Sequence, residues 1–234
     1  AQVPADEATF DHIVSLLVKK PWSLDFHQAV LFHEGYDTGH DDVEPSGLMC
    51  ADRDNNAYNE MITDVPLFCH PSPNELLIIG GGDCGALTEV LKHPEVKRCT
   101  MCEIDQKVVE VSKRHFPHLT AGLSDRRAHV VYQDGKKFIE DSKEKFDLIL
   151  LDLSDPVGPA ADLFQKPFHQ KVHDTLTPNG IMIAQSESPF YNQETVRAIY
   201  KNLREIFPVV RMYTCFMPIY PSTYWSFAFC SKRY

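Results

Sequence analysis

The chain has 234 residues, 43% hydrophobic and 24% charged, with 33 acidic against 23 basic side chains and a formal net charge of −10. That length supports one substantial core with a small appended lobe, and the negative charge disfavours nucleic acid and anionic membranes while attracting polyvalent cations. No apolar run approaches a membrane span and no signal peptide opens the sequence, so a cytoplasmic protein is expected.

Residues 1–62 read as a small N-terminal lobe and 63–234 as a larger domain. Phe10, Ile13, Leu16 and Leu17 have helical spacing, after which a Gly, Asp and His-rich stretch from His33 to Gly47 breaks all periodicity. His33, Glu34, His40, Asp41 and Asp42 match no familiar ligand spacing and read as a solvated loop, so no metal is expected. The first 74 residues carry no regular alternation of elements.

From Glu75 onward, short apolar runs alternate with amphipathic stretches, the signature of a sheet with helices on both faces. Strands are expected at 75–80, 97–103, 128–133, 146–152, 180–185, 209–216 and 224–230, with helices at 85–93, 105–116, 134–142, 161–175 and 192–206. Only the last two strands lack an intervening helix, and Pro218 and Pro221 punctuate their link, so they should pair antiparallel. This predicts an α/β fold: a seven-stranded, Rossmann-like sheet of the methyltransferase type. The seven cysteines fit reduced thiols. Cys99 and Cys102 form a CxxC, but they straddle an expected strand without a second pair, which points to strand packing rather than zinc.

Leu76 to Ile79 lead into Gly80, Gly81, Gly82, Asp83, Cys84 and Gly85, a GxGxxG between strand and helix that lets a ligand approach the backbone. Glu103, about one strand further on, is placed to take ribose hydroxyls, and Asp134 with Gly135 to receive an adenine amino group. Asp105 and Asp134 also fit as helix caps. A carboxylate at Asp83 would repel a pyrophosphate, so a dinucleotide is disfavoured, whereas decarboxylated S-adenosylmethionine ends in an ammonium that Asp83 suits. Asp152 should emerge at the carboxyl end of an apolar strand, where open α/β sheets place their ligand crevices. Pro156, Gly158 and Pro159 forbid helix and fix a turn, so Asp155 should line the crevice beside it, and this carboxylate pair suits a cationic substrate.

These residues, with Tyr58 to Met61 and Ile219 to Ser222, resemble the spermidine synthase family of polyamine aminopropyltransferases from Met49 to Lys232. The resemblance implies transfer of an aminopropyl group from decarboxylated S-adenosylmethionine to putrescine, giving spermidine and methylthioadenosine, with no tightly bound cofactor. By it Asp152 is the base, Asp155 and Tyr58 hold the diamine, and Tyr220 positions the attacking amine. Glu103 takes the ribose, Asp134 and Gly135 the adenine side, and Asp83 the aminopropyl ammonium. Gly80 and Gly82 cradle the nucleoside, Gln28 resembles a nucleoside-binding Gln, and Asn59 and Pro159 lie where the family contacts polyamine and thioadenosine. The segment from Leu153 to Phe164 becomes a gatekeeping loop, and a homodimer or tetramer is implied. Trp225, inside an expected strand, reads as core. Cys84, Asn59 and Thr223 depart from the family pattern, which has Gly, His or Gln, and Gly at those places. Two other readings stand beside this one: a putrescine N-methyltransferase using S-adenosylmethionine, and a catalytically silent paralogue that binds nucleoside and regulates a partner.

Overall fold

The computed structural model describes residues 55–154, 158–217, 220 and 223–233, together with the backbone of two strands at 28–32 and 47–51. The helical spacing around Phe10 and the His-rich stretch lie outside the described residues. Strands β1 (Gln28–Phe32) and β2 (Gly47–Ala51) form an antiparallel pair of their own.

The main sheet has the order β5-β4-β3-β6-β7-β9-β8. Its parallel strands are β3 (Glu75–Gly80), β4 (Arg98–Glu103), β5 (Ala128–Tyr132), β6 (Phe146–Asp152) and β7 (Leu176–Gln185). They are completed by an antiparallel hairpin of β8 (Val209–Phe216) and β9 (Tyr224–Ser231), with β9 inserted beside β7. All seven expected strands are present. Strand β7 starts at Leu176 rather than at 180, although regular pairing with β6 begins only at Ile181, past an irregularity that accommodates Pro178 and Gly180.

Alternation along the strands divides the core. Leu76, Ile78, Leu148, Leu150, Ile181 and Ile183 face one side, where they meet α1 (Asn55–Cys69), α2 (Gly85–Val90) and Val109 of α3 (Gln106–His115). Leu77, Ile79, Ile149, Leu151 and Met182 face the other and meet α4 (Gly135–Asp141), α5 (Lys166–Thr175) and α6 (Gln193–Arg204). Cys99 packs in the first layer and Cys102 in the second, as two residues three apart on a strand must. Both are free thiols, like every described cysteine.

Two local expectations are corrected. Helix α1 falls where no regular element was expected: its inward face carries Asn59 and Thr63 among Tyr58, Ile62 and Leu67, and Pro66 lies inside it, so neither periodicity nor propensity marks it. It runs through the expected lobe boundary between 62 and 63. Gly158 and Pro159, read as barring helix, instead open a 3₁₀ helix over Gly158–Phe164, since proline is tolerated in a first turn. Gln165 separates it from α5, which replaces the single helix expected over 161–175.

Candidate active site

Strands β3 and β6 are register partners at Gly80 and Asp152, so the glycine loop and the strand-end acid start from one point. Gly81 N donates to Asp152 O at 3.0 Å. The turn uses left-handed backbone at Gly80 and Gly81, with φ of +83° and +70°. A Cβ on Gly80 would lie 2.1 Å from Asp152 O, and one on Gly85 would lie 2.2 Å from Asn59 Nδ2. Glycine is therefore required by contact with α1 and β6 as much as by any ligand.

Helix α1 brings Tyr58, 5% exposed, over the end of β6, where its hydroxyl donates to Asp152 Oδ1 at 2.7 Å. Asp152 is half-buried. Loss of water first, and then the charges of Asp83 and Glu103, push its carboxyl up to about 7, against the opposing effect of the Tyr58 hydrogen bond. Burial and the neighbouring carboxylate hold the Tyr58 hydroxyl well above its ordinary range, so it stays a donor. A carboxylate poised near neutrality beside a neutral phenol is equipped to accept a proton at physiological pH.

Asp83 Oδ1 accepts from Gly85 N at 2.9 Å, which fixes the acid within the loop. Glu103, 8% exposed at the end of β4, accepts from Asp105 N at 2.9 Å, and its second oxygen lies against Gly82. Asp134 caps α4, accepting from Lys136 N at 2.7 Å and Lys137 N at 3.2 Å, and Asp105 caps α3 through Lys107 N. Gly135 is buried against Ile79, with no room for a side chain. Asn59 is 3% exposed on α1. Asp83, Glu103, Asp152 and Tyr58 thus gather at the carboxyl ends of β3, β4 and β6, with Asp134 at the end of β5.

Tyr220 completes the aromatic side. Its ring lies 6.0 Å from that of Tyr58, edge on, and 4.6 Å from that of Trp225. Trp225 is 8% exposed and belongs to the core layer shared with Phe227, as expected of it. Asp155 and the side chains of Gln28 and Pro159 lie outside the described residues.

Several residues at the same rim escaped the sequence reading. Gln185, 3% exposed at the end of β7, donates from Nε2 to Leu153 O at 3.2 Å and holds the chain leaving Asp152. The signal was present: a polar residue closing a buried strand, the pattern that singled out Asp152. Glu187 follows at φ +67°, with its carbonyl accepting from Ser226 N and Oγ and its carboxylate from Asn192 Nδ2. Cys84 and Thr223 have φ of +68° and +55°, and with Glu187 they are the described non-glycine residues in left-handed backbone. All three lie where the parallel strands end or β9 begins.

This sheet order, with acids at the ends of successive parallel strands, defines a Rossmann-like α/β protein of the methyltransferase type. A family model for the spermine/spermidine synthase domain matches residues 55–234, and the chain belongs to that family. The polyamine aminopropyltransferase of Caldicellulosiruptor saccharolyticus is 46% identical over 181 residues, which cover 77% of this chain and 65% of that relative. The one of Shouchella clausii is 43% identical over 187 residues, 80% of this chain and 68% of that protein. Among solved structures, a spermidine synthase in complex with the transition-state analogue AdoDATO is 35% identical with a TM-score of 0.78, covering 88% of this chain and 70% of that one. Spermidine synthase from Thermotoga maritima gives a TM-score of 0.76 at the same identity, covering 88% and 69%. The chain spans about two thirds of the length of the relatives it matches.

Proposed function

We propose that this chain transfers an aminopropyl group from decarboxylated S-adenosylmethionine to putrescine, releasing spermidine and methylthioadenosine. The observation that carries the reading is Asp152, raised to about 7, held by Tyr58 and electrostatically coupled to Asp83 and Glu103. A sulfonium makes its neighbouring carbon electrophilic, and a diamine nitrogen attacks it in line, but only after losing a proton. An alkylammonium has a pKa of roughly 10.4, so a base near 7 closes about half of the gap that an ordinary carboxylate leaves.

The family resemblance supplies the roles. Asp152 takes the proton, Tyr58 orients it, and Tyr220 borders the path of the amine, its ring favouring a cation. Glu103 takes the ribose, and Gly80 and Gly82 form the cradle beneath it. Asp134 and Gly135 serve the base, and Asp83 the aminopropyl ammonium. Asn59, Asp155, Gln28 and Pro159 take the roles that the family resemblance gives them. Juxtaposed carboxylates repel one another, and a doubly charged amine relieves that repulsion as it binds. No tightly held cofactor enters this reaction. The free thiols of the described cysteines suit a reducing, cytoplasmic setting, and a homodimer or tetramer is part of the reading.

A turnover assay with decarboxylated S-adenosylmethionine and putrescine, read by mass spectrometry, tests this directly. The expected product is spermidine. A gain of one methyl group from S-adenosylmethionine would replace the reading with N-methyl transfer, and nucleoside binding without any product would replace it with a regulatory role.

A further inference from the structure

Strand β8 is the outer edge of the main sheet, and one of its side chains reaches back over β9 to helix α1. Tyr213, half-buried, is the register partner of Phe227, and their rings stack 5.1 Å apart at 16°. Phe227 is fully buried and also meets the ring of Tyr58, at 5.4 Å. Beyond the stack, the Tyr213 hydroxyl donates to Met61 O at 2.7 Å, three residues along α1 from Tyr58. The helix's own ladder has a gap at this point, because Pro66 has no N–H and the carbonyl of Ile62, next to Met61, loses its intrahelical donor. Tyr213 therefore holds α1 at two points, at the backbone of Met61 and, through Phe227, at the ring of Tyr58. Of the groups that face Asp152, Tyr58 donates a hydrogen bond to its carboxylate at 2.7 Å, and Asp83 and Glu103 act on it through charge.

We propose that Tyr213 is a positioning residue for the proton transfer: it locks α1 so that the Tyr58 hydroxyl stays in bonding range of Asp152. This rests on the aminopropyl-transfer reading above. A hydrogen bond weakens steeply as its angle and length depart from the ideal, so a small rotation or slide of α1 loosens the Tyr58 contact while leaving the fold intact. A loosened bond withdraws support from the charged carboxylate, and Asp152 then keeps its proton to higher pH. Phenylalanine at 213 retains the stack on Phe227 and removes only the hydroxyl. Met61 O keeps its place in the helix ladder, so no buried acceptor is stranded. The expected loss is one of alignment rather than of folding.

The test compares the parent with Tyr213→Phe, Tyr58→Phe and the double variant. For Tyr213→Phe we expect kcat/KM at pH 7 lowered about two- to threefold and recovered near pH 9, because the acid limb moves up by about 0.5 pH unit. Both KM values should stay within about twofold of the parent, and the Tm should fall by no more than about 4 °C. In the Tyr58→Phe background the same substitution should leave the acid limb where Tyr58→Phe alone puts it, because the bond through which Tyr213 acts is gone. A loss of equal size at every pH, with or without a lower Tm, overturns the proposal. So does an equal shift of the limb in the Tyr58→Phe background, which would show that Tyr213 reaches Asp152 by another route. Should the parent itself make no spermidine, the functional reading fails separately, and carbon-13 NMR titration of the Asp152 carboxyl then decides. A higher midpoint in Tyr213→Phe supports the positioning role, and the same midpoint refutes it.

Discussion

Tyr58 and Asp152, 94 residues apart in sequence, are joined by a 2.7 Å hydrogen bond from phenol to carboxylate. Because that bond favours the charged carboxylate, its loss raises the Asp152 pKa further. Tyr58→Phe should therefore move the acid limb of the kcat/KM profile to higher pH, with activity down roughly tenfold at pH 7 and largely recovered near pH 9. A profile that falls in parallel at every pH would show that the hydroxyl acts only in binding.

Asp152 also exacts a stability penalty. Its folded pKa, about 7, lies above its unfolded value, so the contribution of the protonated acid is present below about pH 4 and is lost as pH rises through 7. Asp152→Asn should abolish turnover, by about 10²-fold or more, while raising the Tm at pH 8 and leaving it little changed near pH 4.5. Thermal denaturation at the two pH values measures this, and a lower Tm at pH 8 would contradict the buried-charge account.

His169 behaves in the opposite sense. It is 1% exposed on α5, its Nδ1 has no partner among the described residues, and burial lowers its pKa to about 4. The unfolded chain binds this proton near pH 6.5 and the folded one does not, so stability falls as pH drops from about 6.5 to 4, by roughly 3 kcal/mol at most. His169→Phe should flatten that part of the urea-midpoint curve. An unchanged slope between pH 4 and 6.5 would assign the acid sensitivity elsewhere.

Much of this architecture was readable in advance because Leu76–Ile79 of β3 and Leu148–Leu151 of β6 are buried on both faces and appear as uninterrupted apolar runs, each followed by a residue of another kind, Gly80 and Asp152. Alternating units then imply a sheet with helices on both faces, closed by an antiparallel pair. The pattern fails at α1 for a physical reason: Asn59 and Thr63 occupy its buried face, so apolar periodicity is broken where the helix packs on the glycine loop. Backbone strain was hidden at Glu187, whereas at Cys84 and Thr223 the glycines of the family pattern hinted at positive φ. The Tyr58–Asp152 contact depends on α1, so its geometry was out of reach while α1 was unrecognised.

Asn59 and Gly85 should be energetically coupled. Gly85→Ala places a Cβ 2.2 Å from Asn59 Nδ2 and should destabilise the fold by about 1–3 kcal/mol. Asn59→Ala removes the colliding amide, so the double variant should recover part of that loss, with a coupling of at least 0.5 kcal/mol in a denaturation cycle. Additive effects would mean that α1 shifts freely away from the loop.

Because β9 runs against its neighbour β7, it begins where the parallel strands finish. Strands β8 and β9 are therefore joined at the edge where Asp83, Glu103 and Asp152 gather, whereas every parallel strand reaches that edge only at its end. On the aminopropyl-transfer reading, a change in the length of this one connection alters the acceptor side and leaves β3, β4 and β5 undisturbed, so a new acceptor needs no rearrangement of the sheet.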